Sequence, residues 1–220
     1  MRRLLALLPS VTFALLAPSA APGAKAAPID SVPLVWRPSA SAAVPPIDAA
    51  PFEKVRIRVA AFADARGVEA GQLGTRDGSV PVTTPDDVAE FATDRFLAAL
   101  EEEGLTAVDD RFLERIGADL VERPDGVVTR VAGRVITTRV EIGKELETEV
   151  QLELTVTVDP KKDEPAKPAL FVGTATGRSG RSARSYEVGD AQEALSDALG
   201  EAIAQLLRTE AFVKSLRGER

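Results

Sequence analysis

Three arginines stand in a serine- and glycine-rich run, Arg178-Ser179-Gly180-Arg181-Ser182-Ala183-Arg184-Ser185, in a chain of formal net charge −7. Guanidinium groups fork onto phosphate or carboxylate oxygens through paired hydrogen bonds. Arg178, Arg181 and Arg184 are therefore the candidate contacts for an anionic ligand. The plainer reading is preferred: a solvated strand end whose arginines pair across a sheet with Glu145, Glu147, Glu149 and Glu153. A second motif, Asp64, Arg66 and Gly74, frames a loop that also holds Gly67 and Gly71. These glycines do not directly open a helix, so the loop is a weak phosphate signal. Asp64 and Arg66 read instead as a local ion pair that holds the loop.

The chain has no histidine and no cysteine. Ser-His-Asp and Cys-His catalysis are therefore excluded. Metal ligation keeps only oxygen donors, which suit calcium or magnesium. Asp159-Pro160-Lys161-Lys162-Asp163 lacks the spaced donors of a calcium loop, so neither a metal nor a cofactor is expected. Two carboxylates could still hydrolyse a glycoside. The dense acids are the glutamate row at 145–153 and Glu101-Glu102-Glu103, and both fall on positions predicted to face water. The expectation is a protein that is not an enzyme.

The elements that would position these residues are legible from periodicity. Val55, Ile57, Val59 and Ala61 alternate with Arg56 and Arg58, a first strand with one wet face. Ser79 to Thr83 reads as a short return strand. Thr84-Pro85-Asp86-Asp87 opens a helix whose stripe is Val88, Phe91, Ala92, Phe96, Ala99 and Leu100, with Gly104 as its stop. Leu105 to Val108 is a further strand, and Arg111 to Leu120 a short helix or turn. In Val127 to Ile142 the apolar phase changes near Val135-Ile136, which predicts a bulge or bend. Leu146 to Val158 alternates throughout, with the glutamates on the opposite side, and Gly143-Lys144 makes the hairpin connection. A last strand is predicted from Ala169 to about Thr176. Asp190 and Glu193 resemble a capping pair for a final helix bearing Ala191, Leu195, Ala198, Leu199, Ala202 and Leu206. Thr209 to Leu216 follows as a separate turn or kinked continuation, with Phe212, Val213 and Leu216 inward. The class is α+β: a mostly antiparallel sheet with two amphipathic helices packed on one face, in the order β-α-β-β-β-β-α.

The start of the chain concerns export. Met1-Arg2-Arg3, the apolar run Leu4 to Ala17 and Ala24-Lys25-Ala26 match a secretory leader over residues 1–26. The apolar run is too short to span a bilayer and contains Pro9. Residues 27–52 are rich in Pro, Ala and Ser and read as an extended tether. Their one sticky island, Val32 to Trp36, is expected to pack on the domain rather than to bind a partner. Residues 53–218 form a single domain. Losing Arg2, Arg3 and Lys25 takes the net charge from −7 to about −10. That balance argues against nucleic acid as a partner, since phosphate contacts need a basic surface.

The alternating first strand with Asp64-x-Arg66, the stretch Leu73-Gly74-Thr75-Arg76-Asp77, the helix ending Leu97 to Gly104 and the terminal Ala194 to Leu216 helix together resemble the YajG-like family of bacterial lipoproteins. The resemblance covers residues 53–217. It implies a Gram-negative envelope protein with an α+β domain, and it brings no catalytic residues. The lipid-bearing cysteine of that family is absent here, and Ala27 follows the expected cut. The function expected is a non-enzymatic, exported periplasmic binding or assembly protein whose partner is another envelope protein or component. The alternatives are an auxiliary subunit of an envelope transport system and a carboxylate-dependent glycan hydrolase.

Overall fold

The computed structural model describes residues 30–39, 46–117, 126–159, 167–183 and 185–220. In chain order the strands are β1 (Val55–Val59), β2 (Ala63–Asp64), β3 (Gln72–Arg76), β4 (Val80–Thr83), β5 (Ala107–Asp109), β6 (Val127–Ile142), β7 (Leu146–Val158) and β8 (Phe171–Arg181). The helices are α1 (Val88–Glu102), α2 (Asp110–Ile116), α3 (Val188–Arg208) and α4 (Glu210–Leu216). The leader expected over residues 1–26 lies outside the described residues.

β6 is the spine of an eight-stranded sheet. One of its edges pairs antiparallel with β7 from Thr129 to Ile142, and β7 pairs antiparallel with β8. Its other edge takes β1, β2 and β3 one after another, all parallel. β5 lies parallel outside β1, and β4 antiparallel outside β3. The two long ladders are antiparallel, and of the short ones only that of β3 with β4 is, so the α+β class holds on a mixed sheet. The register of β6 on β7 shifts between Val135 and Thr137, the bulge that the phase change predicts. Before it the buried side chains are Thr129, Val131 and Val135; after it they are Thr138, Val140 and Ile142. The extra residue thus keeps one face inward along the whole strand.

α1 and α3 cover that apolar face, α1 over β5 and β6 and α3 over β7 and β8. Phe62, Phe96, Phe212 and Phe171 form a chain of ring contacts through the core, with centroids 5.5, 6.3 and 5.2 Å apart. Burying a phenylalanine such as Phe96 or Phe212, both fully enclosed, contributes roughly 1.5–3 kcal/mol. Two glycines permit the closest approaches. A Cβ on Gly177 would overlap the Ala198 carbonyl where α3 crosses β8, and one on Gly74 would overlap Val140 where β3 meets β6.

Several boundaries differ from the sequence reading for local reasons. Thr84 organises a turn, its Oγ1 accepting from the Asp86 amide at 3.2 Å, and Asp87 is the true cap of α1, accepting from Ala89 N and Glu90 N. Asp190 does belong to a capping pair, but as the inner member of a box with Glu187 rather than with Glu193, so α3 begins at Val188. β8 continues five residues beyond Thr176 because its ladder with β7 runs on to Arg181. α2 stops at Ile116, with left-handed Gly117 after it, and residues 118–120 lie outside the described residues.

Within the proline-rich stretch, residues 30–39 hold no helix and are fastened to the domain, and Ala50–Phe52 form a short 3-10 helix. Val32 is wholly buried, and its amide donates to the Thr83 carbonyl at 2.8 Å on the outer edge of β4. Val32 to Trp36 packs locally, as expected of that island, with Trp36 against the Phe91 ring.

Candidate functional site

The basic run does not converge on a ligand. It lies in and just beyond β8, where residues an odd number apart point to opposite faces. Arg178 is on the open sheet face, three-quarters exposed, with Nε 2.8 Å from Glu149 Oε2. Arg181 turns to the helical face and bonds Glu193 at 2.6 Å and Asp197 at 3.0 Å on α3. Burial opposes the Arg181 charge, but the hydrogen bonds it donates to Asp197 and Glu193 outweigh burial and raise its pKa. Arg184 lies outside the described residues. The two described arginines are a strand end tied to carboxylates, one of them on the glutamate row. Glu145 and Glu147 are exposed, and Glu153 pairs with Arg134 at 2.9 Å.

The second motif is a staple. Arg66 is almost fully buried and clasps Asp64 through Nε at 2.9 Å and Nη2 at 2.7 Å, while its Nη1 donates to the Gln72 carbonyl at 2.7 Å. The Arg66 hydrogen bonds hold the Asp64 carboxyl below the usual range. Gly74 serves the approach of β3 to β6. All three residues thus close the loop between β2 and β3, and none of them points a free group at a ligand.

The arrangement with most to offer another molecule was not singled out from sequence. β8 pairs with β7 on one side, and among the described residues no strand pairs with its other side. From Phe171 to Gly177 it carries neither charge nor proline, the two common guards of an exposed edge. Val172 is 64% exposed. The amide of Thr176 points off the sheet and donates to the Gln205 side chain of α3 at 3.3 Å. A recess of about 480 Å³ follows this edge, lined by Gln151, Thr176, Arg178, Glu201 and Gln205. It adjoins a shallow trough of about 390 Å³ on the open face, between Arg139, Glu147, Glu149 and Arg178. A signal existed: a strand with no charge for seven residues at the end of a hairpin is an edge by topology. Finding it needed the strand order.

A buried ion cluster lies at the far end of the sheet. Asp110, 1% exposed, accepts from Arg58 Nε at 2.6 Å and faces Arg130 Nε at 3.1 Å, while Arg58 also reaches Asp159 at 2.9 Å. Burial opposes the Arg58 charge, and Asp110 and Asp159 outweigh it, so its pKa is raised. Each charge has an ion-pair partner, although Asp110 Oδ2 accepts no hydrogen bond, and the cluster fastens α2 to the sheet. Among the described residues no set of three acids is gathered for a metal, and no helix is long and apolar enough to cross a membrane.

Solved structures resemble this chain to differing degrees. A Xanthomonas campestris protein of the DUF330 family matches with a TM-score of 0.51 and 16% identity, covering 80% of this chain and 91% of its own. The two share a fold. PelC from Paraburkholderia phytofirmans, solved as a dodecamer, matches with a TM-score of 0.34 and 14% identity over 76% of this chain and 93% of its own. A Neisseria meningitidis lipoprotein matches with a TM-score of 0.33 and 13% identity over 62% and 90%. Similarity at those two scores transfers nothing to this chain. No family model and no curated protein matches the sequence.

Proposed function

We propose that this protein is an exported, non-enzymatic module of the cell envelope that binds a partner protein through the outer edge of β8. The observation that carries the reading is that edge: an unguarded strand whose Thr176 amide is held only by a side chain. A carbonyl of an added strand is a shorter and better-aligned acceptor than Gln205 at 3.3 Å, and main-chain bonds of this kind drive strand addition. The recess beside the edge offers room for the side chains of that strand. The leader over residues 1–26 and the YajG-like resemblance support the envelope as the compartment.

Support for a non-enzymatic role comes from the acids. The carboxylates whose pKa is displaced, Asp64, Asp109 and Glu210, are displaced downward. A general acid near neutrality needs displacement the other way. Glu149 is ion-paired with Arg178 beside an open trough, and Glu153 is ion-paired with Arg134.

The test is site-specific photocrosslinking in the native envelope. A photoreactive residue at Thr174 is expected to trap a discrete protein partner, and one at Glu147 on the open face is not. Equal, diffuse labelling at both positions, or labelling at Glu147 alone, would overturn the strand-edge reading. Recovery of the chain with its leader attached in the cytosol would overturn the compartment.

A further inference from the structure

We propose that the seat of residues 30–39 is a receptor for an extended peptide, and that the chain's own segment is its resident, displaceable occupant. The seat lies on the helical side of the molecule and across the outer edge of β4, so it is separate from the β8 edge and does not depend on the function proposed above.

The segment is held as a ligand is held. Its residues alternate, with Val32, Leu34 and Trp36 turned inward and Ser31, Pro33, Val35 and Arg37 outward, the period of an extended chain. Its backbone is read at every second or third residue. Thr83 N donates to the Asp30 carbonyl at 3.0 Å, answering the bond from Val32 to Thr83. Leu34 N donates to Asp86 Oδ2 at 2.7 Å, Arg37 N to Ser196 Oγ at 2.9 Å and Ser39 N to Asp197 Oδ1 at 2.8 Å. Gln192 Nε2 donates to the Pro33 carbonyl at 3.0 Å. The first part is strand addition and the second is groove binding.

Two side chains supply selectivity. Val32 fills an enclosed site. Trp36 lies against Phe91 at 6.5 Å with the Arg95 guanidinium 5.4 Å from its ring centroid, and Gly200 leaves room for its outer edge. A cation over the tryptophan face adds attraction at a half-buried position.

The floor of the seat argues for release. On α3, the residues under the segment are Gln192, Ser196 and Gly200, spaced four apart on one face. The inward face of that helix is alanine, leucine and isoleucine. Val32 sits in the core with Leu34 and Trp36 packed against it, so displacement must expose those three side chains. From Pro33 to Ser39 the backbone is held by an amide, a hydroxyl and carboxylates that water satisfies when the seat is empty.

The test uses the full chain with a specific protease sequence placed in residues 40–45 and cut after folding. The released N-terminal fragment is expected to co-elute with the domain, and excess labelled peptide of sequence 30–39 to replace it. The same peptide with Trp36→Ala is expected to bind about tenfold more weakly or worse. A concentration-dependent dimer of the uncut chain would show the seat taking a neighbour's segment and would also support the receptor. Separation of the fragment from a still-folded domain would overturn the proposal, as would a fragment that stays and never exchanges. Should the insertion prevent folding, hydrogen exchange on the unaltered chain decides. The amides of Val32, Leu34 and Arg37 are expected to open about a hundredfold more often than those of β7. Opening only with global unfolding would refute displaceability.

Discussion

Two outer edges of the sheet, those of β4 and β8, are treated differently. The outer edge of β4 is covered at its last residue: Thr83 exchanges two main-chain hydrogen bonds with Asp30 and Val32, and Arg76 of β3 reaches Asp30 at 2.8 Å. Among the described residues, the outer edge of β8 has the Gln205 side chain at 3.3 Å on one amide. The covered edge belongs to a strand of 4 residues containing Pro81, and the open one to a strand of 11 residues. The shorter edge is the lesser hazard, yet it is the one that is covered. This contrast is what makes the β8 edge a site rather than an oversight.

Four experiments would break or sharpen that contrast. The largest effect is expected from Gly177→Val, which drives α3 away from β8; overpacking of this kind costs about 3 kcal/mol, read as a fall in the urea midpoint. Gly74→Ala is its counterpart on the covered side, through β3 and β6. Val32→Ala comes next, with a loss of about 2 kcal/mol and faster exchange of the Thr83 amide, since the cover on β4 depends on that anchor. An unchanged midpoint would mean the covered edge is held by backbone alone.

The third experiment is acidification. The folded pKa of Asp64 lies below its unfolded value of about 3.9, because of the hydrogen bonds from Arg66. Its contribution is therefore fully present above that pH and is lost as pH falls through the folded value. Urea titrations between neutrality and acid should show stability declining below about pH 4, with a shallower decline for Asp64→Asn. Asp109 follows the same sign: burial opposes its charge, and the Arg111 bonds outweigh burial. The smallest effect on stability belongs to Thr174→Lys, within about 0.5 kcal/mol, together with complete loss of partner crosslinking. If crosslinking survives the added lysine, the partner is not a strand.

Much of the fold was legible because it was written in local periods. The alternation from Leu146 to Val158 coincides with β7, and the phase change near Val135 coincides with the bulge. What escaped was set by non-local pairing. Gln72–Arg76 has a single buried side chain, Leu73, and becomes β3 only because β6 passes close enough to exclude a Cβ at Gly74. The parallel docking of β1, β2 and β3 on one strand has no signature in any of the three. For the candidate site, the ion pair of Asp64 with Arg66 was readable from two residues in sequence. The opposite facing of Arg178 and Arg181 was not, because it required knowing that the strand continues through Gly180. The fastening of residues 30–39 depends on Gln192, Ser196 and Asp197, more than 150 residues away. No composition argument about a proline-rich stretch can see such partners.

The contact at Gly177 has one last consequence. With the backbone of α3 resting directly on it, β8 cannot curl, slide or fray independently of the helix. Its conformational freedom was surrendered when the chain folded. An incoming strand would therefore meet a stiff template and lose only its own disorder, so that a modest number of hydrogen bonds could hold it for a long time.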